Sequence, residues 1–315
     1  MKKKLILILL LVLSIASQAQ ILGNPFVFKP KLLVDSLTAT PVIAISFNRI
    51  KSDYTGYLVR IRAATSNAEM DVEADGNGWV SLKSPGKVTA SGSSGYAVGT
   101  YLSVATLVSS QDAYLVGFYN QMDGSLVAYN FTASTQPKVM TGGVFETMGG
   151  KPVARFNSAN SNFLTINYIG SATSLTGICT YKAFAVPPSS SNGPVLGDFG
   201  TDGNADSWTW TDGVFYDGFG RSNRFVCTSN SGINVPNITV IESSSTAYTL
   251  RVNSIQKYTT TTGTVQVYSG PHYLARTSKS GSTYYWNGWI GEVIIVKSTI
   301  NIPLVEANVK RRWEL

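Results

Sequence analysis

The chain has 315 residues, of which 43% are hydrophobic and only 14% charged, with 29 glycines, 16 tyrosines, 13 phenylalanines and 6 tryptophans. So few charges beside so much aromatic mass exclude a disordered or coiled-coil protein and supply enough apolar side chain for one well-packed domain. The formal charge is +7, but three lysines stand at the N-terminus; without them 22 basic residues face 18 acidic ones, a surplus of +4 that is too small to propose nucleic acid as a partner.

Lys2, Lys3 and Lys4 precede an apolar run from Leu5 to Ile15 that ends in Ser17-Gln18-Ala19. A positive start, a short apolar middle and small residues at the cut describe a signal peptide over residues 1–19, and predict a secreted, periplasmic or cell-surface protein. No later run reaches the ~20 apolar residues of a membrane span. Residues 20–47 read as a lead-in segment and 48–315 as one domain. In Tyr57–Arg62, Tyr57, Val59 and Ile61 share one face while Arg60 and Arg62 share the other, which is the period of a half-buried strand. Glu69, Asp71 and Glu73 then fall on one face of a second extended run. Residues 113–119, 162–169, 175–184 and 289–296 are apolar on both faces, as strands in the middle of stacked sheets are, and 248–253 and 265–268 alternate again. Gly, Pro and Ser clusters separate these runs, and the stretch from Pro187 to Pro194 reads as a long loop. Short strands at this turn spacing predict an all-β, two-sheet antiparallel jelly-roll sandwich.

One helix is predicted. Asn301 can cap it, Pro303 suits its first turn, and Val305, Val309 and Trp313 form a stripe expected to plug an edge or end of the sandwich. Lys310, Arg311 and Arg312 then read as its solvated side. His272, the only histidine, is expected on a surface loop, and it removes any zinc site. In an exported protein Cys179 and Cys227 form either a disulfide or two buried thiols. Asp202, Asn204 and Asp206 place oxygens at alternate positions, so calcium is the one cofactor considered, although Ser207 and Gly213 stand where a calcium loop needs Gly and Glu. The segment Trp208 to Arg221 offers Trp208, Trp210, Asp212, Tyr216, Asp217 and Arg221: flat rings for the C–H faces of sugars and polar groups for their hydroxyls, unless the tryptophans simply fill the core.

Three stretches carry a family resemblance. Asn48 to Gly56 with Val59-Arg60-Ile61-Arg62 and Asn67-Ala68-Glu69 resembles the opening of arabinofuranosidase-B-like modules. Val116-Gly117-Phe118-Tyr119-Asn120-Gln121, Gln136-Pro137-Lys138-Val139 and Gly149-Gly150-Lys151-Pro152 are similar to a later region of the same modules, with Asn120 in place of an aspartate. Trp286 to Ile295 resembles the last strand of laminin-G-like and concanavalin A-like domains. The resemblance implies a concanavalin A-like sandwich, a fold that hosts lectins, glycan-binding modules and glycanases, so fold alone does not choose among them. At the places that align with the arabinofuranosidase carboxylates, Gly193 to Gly200 and Lys279 to Thr283, neither carboxylate has an obvious counterpart. The string Glu69-Met70-Asp71-Val72-Glu73 is in turn similar to the acidic strand of concanavalin A-like β-glucanases, which implies Glu69 as nucleophile and Glu73 as acid/base, although such residues lie roughly 13 Å apart on a straight strand. The expectation is a secreted, non-catalytic protein binding a carbohydrate or cell-surface polymer. Alternatives are a glycoside hydrolase using Glu69 and Glu73 or an arabinofuranosidase-like site, and a structural or adhesive component of a cell surface or phage particle.

Overall fold

Side chains alternate across an extended chain, so each amphipathic strand buries one face, and two sheets of them close over a shared core. The structure, a computed structural model, describes residues 32–184, 193–201, 208–209, 214–227, 232–262, 264–278 and 283–315. In chain order the principal strands are β1 (Pro41–Ser46), β2 (Val59–Ala63), β3 (Glu69–Val72), β4 (Pro85–Ala90), β5 (Tyr101–Ser103), β6 (Ala113–Tyr119), β7 (Leu126–Tyr129) and β8 (Lys138–Thr141). They continue as β9 (Ala154–Phe156), β10 (Leu164–Ile166), β11 (Ser174–Ala183), β12 (Asn237–Ser244), β13 (Tyr248–Val252), β14 (Ile255–Thr260), β15 (His272–Leu274) and β16 (Gly288–Val296). A short helix α1 (Val104–Val108) follows β5, and α2 (Ile302–Trp313) ends the chain.

One sheet runs β5-β4-β3-β2-β6, and the C-terminal half of β6 continues it through β7, β10 and β15. The other runs β14-β13-β12-β11-β16, with β1 beside the C-terminal half of β16 and β9 beside its N-terminal half. β8 pairs with the start of β6 and meets β9 where Lys138 stands opposite Arg155, so the sheets join along a seam. All these pairings are antiparallel, and the protein is an all-β sandwich with a C-terminal helix, as expected. Ile61, Met70, Leu115 and Phe118 of the first sheet meet Ile45, Phe156, Ile241 and Ile295 of the second in the core.

Three expectations move. The lead-in is part of the sandwich: β1 pairs along β16, and Ile43, Ala44 and Ile45 are buried, because this short run is apolar on both faces and belongs inside. Val265 to Tyr268 forms no strand: Val265 bridges Arg221, and the Gln266 and Tyr268 N–H groups donate to the Gly220 and Phe199 carbonyls. The helix covers a face rather than an end. Strands β1, β11, β12 and β16 turn Ala44, Ile178, Val240 and Ile294 outward, and exposing such a patch is unfavourable, so Val305, Val309 and Trp313 pack on it. Asn301 caps α2 by accepting from the Leu304 N–H at 3.3 Å. Gly291 is required beneath it: a Cβ there would lie 2.1 Å from the Trp313 ring.

Polar clamps hold the helix down. Arg251 of β13 forks onto Glu306 at 2.9 and 3.1 Å. Arg312, read as solvated, instead points inward and donates at 2.5 Å to Glu292, whose side chain is 1% exposed. Burial pushes the Glu292 carboxyl up and the Arg312 guanidinium down, and each charge partly offsets the penalty of the other. Removing one partner leaves a buried charge, so Glu292→Leu should cost about 3–5 kcal/mol, while Glu292→Leu with Arg312→Met should recover most of it; urea unfolding of the double-mutant cycle measures both.

Cys179 of β11 and Cys227 are buried free thiols, so the disulfide is not formed. Burial raises both thiols far above their ordinary range, helped by Glu292 at Cys179 and Asp217 at Cys227. A maleimide should label neither cysteine in the native protein and both after unfolding without reductant; labelling that needs a reductant would reinstate the bridge.

Candidate functional site

α2 lies over the second sheet, and charged and aromatic side chains gather on the outer face of the first sheet and along its seam. Residues directly opposite in neighbouring strands project on the same side. Register therefore lines up Lys87, Asp71, Arg60, Gly117 and Tyr129 across β4, β3, β2, β6 and β7. The Arg60 guanidinium forks onto Asp71 at 2.6 and 3.0 Å and donates to the Tyr119 hydroxyl at 2.9 Å. Burial and the neighbouring Asp71 carboxylate push the Tyr119 phenol well above its ordinary range. Beside it Tyr57 and the exposed Tyr101 bring their hydroxyls to 3.2 Å, and that bond, with burial, pushes Tyr57 up to about 12.

The next row holds Glu69, Arg62, Tyr114, Lys138 and Arg155. Arg62 forms the floor: its Nε donates to Gln136 Oε1 at 2.7 Å, Nη1 to Asn67 Oδ1 at 2.7 Å and Nη2 to the Ala133 carbonyl at 3.2 Å. Gln136 in turn donates to the Asn130 carbonyl, and Asn162 donates to the Gln136 carbonyl at 3.0 Å. Above this network open two adjoining clefts of about 330 and 160 Å³ that share Tyr114, Asn160 and Asn162. The Tyr114 ring lies 5.0 Å from the Arg62 guanidinium and 5.8 Å from Lys138 Nζ. Lys138 is paired with Asp112 at 2.6 Å, which holds that carboxyl below its ordinary value. The ring, with the half-buried Asn157 and the exposed Asn160 beside it over a floor of paired amides, matches a hydroxyl-bearing ligand.

The residues singled out in the sequence scatter. Asp71 is taken up by Arg60. Glu69, cast as nucleophile, is held above the usual carboxylate range by burial, against the pull of Arg60 and Arg62; that direction suits an acid and opposes a nucleophile. Glu73 lies just past the end of β3. Trp208 begins a two-residue strand whose backbone pairs with Tyr216, while Trp210 and Asp212, like Asp202, Asn204 and Asp206, lie outside the described residues, as do the signal peptide and residues 187–192 of the long loop. Tyr216 is half-buried under the Arg224 guanidinium at 4.6 Å. Asp217 and Arg221 do not reach the surface: both are fully buried, Asp217 accepting from the Tyr248 hydroxyl and Arg221 donating to the Ser244 and Ala247 carbonyls at 2.7 Å. Buried polar side chains look like a ligand site in sequence because both need partners; here the partners are internal. His272 is likewise buried, stacked on Phe199 at 4.5 Å; its Nε2 accepts from the Ile169 N–H, so Nδ1 carries the proton toward the Asp198 carbonyl at 2.8 Å. Among the described residues no group of three His, Cys, Asp or Glu side chains could hold a metal ion.

The resemblance-bearing stretches brace the sandwich. Asn120 accepts from the Ala44 N–H and donates to the Val42 carbonyl, and Gln121 does the same for the Ile50 N–H and the Asn48 carbonyl, all within 2.7–3.0 Å. Arg62 and Gln136, from two such stretches, bond each other. The cleft residues Tyr114, Asn157, Asn160 and Asn162 were missed; three asparagines within six residues were the available signal.

No family model matches the chain, and no curated protein matches its sequence. Solved structures do match. A mutant GH54 α-L-arabinofuranosidase soaked with 4-nitrophenyl α-L-arabinofuranoside aligns with a TM-score of 0.52 at 8% identity, over 86% of this chain and 62% of that one. A GH54 α-L-arabinofuranosidase soaked with a cyclic sulfate inhibitor gives 0.51 at 9%, and an arabinofuranosidase complexed with arabinofuranosyl-α-1,2-xylobiose gives 0.50 at 10%, with the same coverage. At such identity the likeness is one of fold, a β-sandwich seen in carbohydrate-active proteins, and this chain spans less than two thirds of their length. No helix among the described residues is long and apolar enough to cross a membrane.

In Asp71→Asn, the negative charge that raises Tyr119 vanishes while Arg60 remains, so the phenol should ionise at lower pH than in the parent; an ultraviolet difference titration reads the shift, and an unchanged curve would remove the coupling.

Proposed function

We propose that this chain is an exported, non-catalytic glycan-binding protein whose partner is a carbohydrate or cell-surface polymer. The observation that carries the reading is the Tyr114 cleft along the seam. A phenol ring offers an apolar flank, and Asn157 and Asn160 line the same space with amides, above Gln136 and Asn162, whose own amides brace the floor. The leader-like residues 1–19 support export to the periplasm, cell surface or medium. The sandwich shared with arabinofuranosidases supports a saccharide ligand, and the engagement of Asp71 by Arg60 favours binding over hydrolysis. The reading needs no metal or cofactor.

A glycan array probed with the secreted chain should show saccharide binding that Tyr114→Ala weakens about tenfold or more without altering the melting temperature. Silence on the array, or a Tyr114→Ala protein that binds normally, overturns it. Reducing-sugar release that disappears in Glu69→Gln would establish the hydrolase instead.

A further inference from the structure

We propose that the seam row binds an anionic polysaccharide, a uronate-bearing chain whose carboxylates are read by cations alternating with aromatic rings; this deepens and rests on the glycan-binding reading. Beyond Arg155 the register continues to Trp289 of β16 and Lys182 of β11. The complete row is Arg62, Tyr114, Lys138, Arg155, Trp289 and Lys182, each ring flanked by two cations. Five strand-to-strand steps of about 4.8 Å make it roughly 24 Å long, the reach of an oligosaccharide rather than one sugar.

The charges along the row are unevenly compensated. Lys138 is neutralised by Asp112 at 2.6 Å. Arg155 is only 3.9 Å from Glu146, a largely buried carboxylate that also accepts from the Trp289 indole N–H at 3.3 Å, and its own side chain is 46% exposed. Lys182 lies 5.1 Å over the Trp289 ring, and among the described residues neither it nor Arg62 makes an ion pair. The groups that Arg62 hydrogen-bonds are all neutral amides and carbonyls, and although Glu69 beside it offsets part of the cost, burial still pushes the guanidinium below its ordinary value at the cleft floor, so an arriving anion relieves that cost. Glu69 closes the row at the Arg62 end and Lys182 leaves the other end positive. Guanidinium forks suit planar carboxylates, and the asparagines between them suit hydroxyls, which donate as well as accept; a phosphodiester chain offers its backbone anions only as acceptors.

The test uses the full secreted chain and immobilised polygalacturonate, alginate and hyaluronate, with fully methyl-esterified polygalacturonate as the same backbone without charge. Binding to at least one uronate polymer is expected, about tenfold weaker for the ester. Arg155→Ala with Lys182→Ala should lower uronate affinity about tenfold and flatten its salt dependence, with melting unchanged, because both side chains lie outside the hydrogen-bonded floor. Equal affinity for the ester, or failure on all three polymers while a neutral glycan binds and Tyr114→Ala abolishes it, overturns the anionic preference and leaves glycan binding standing. Silence toward every glycan ends both readings. Binding of polyuridylate as tight as of the best uronate also overturns the proposal, in favour of a nucleic acid.

Discussion

The packing of Trp313 against Gly291, with Arg312 driven onto Glu292 beneath it, covers the apolar outer face of the second sheet. The strands of that sheet are apolar on two faces, and a sheet of that kind cannot present its second face to water without a large unfavourable patch. The C-terminal helix removes the patch on the second sheet, and the Arg251–Glu306 fork holds the other side of the helix. The outer face of the first sheet instead carries polar residues: Arg60 pairs with Asp71, and Arg62 bonds Gln136, Asn67 and the Ala133 carbonyl. One sheet is covered by the apolar face of a helix, and the other presents charge.

Buried polar side chains brace the sandwich from within. Asn120 and Gln121 hold β1 and the Asn48–Ile50 turn by hydrogen bonds that a sheet edge alone would leave unmet, and Arg62 is locked to Gln136, Asn67 and the Ala133 carbonyl beneath the cleft. The stretches that resemble arabinofuranosidase-like modules therefore do architectural work in this chain. This separates the fold, shared with arabinofuranosidases, from the chemistry, which belongs to residues on neighbouring strands.

The candidate site was less legible than the fold for a physical reason. Tyr57 to Arg62 announced a strand and its buried face by period alone, and Val305, Val309 and Trp313 announced a helix. Tyr114, Lys138 and Arg155 carry no joint pattern, because their adjacency is a matter of register between β6, β8 and β9. The Trp208–Arg221 stretch erred in the opposite direction: aromatic and polar residues in one run fit a sugar surface and a braced interior equally, and burial chose the interior for Asp217 and Arg221. His272 was misjudged for the same cause, since a Gly-Pro turn before it suggests a loop but not how deeply the loop is covered.

Local alternation of apolar and polar side chains, set along the chain itself, was enough to determine that this protein is a β-sandwich closed by an amphipathic helix. The pairing of strands distant in the chain was decided only by the fold: that β1 lies beside β16, that Arg312 turns inward, and that Arg62, Tyr114, Lys138 and Arg155 fall into one row. Those outcomes depend on which surfaces compete for burial in three dimensions, and that competition has no local trace in the order of residues.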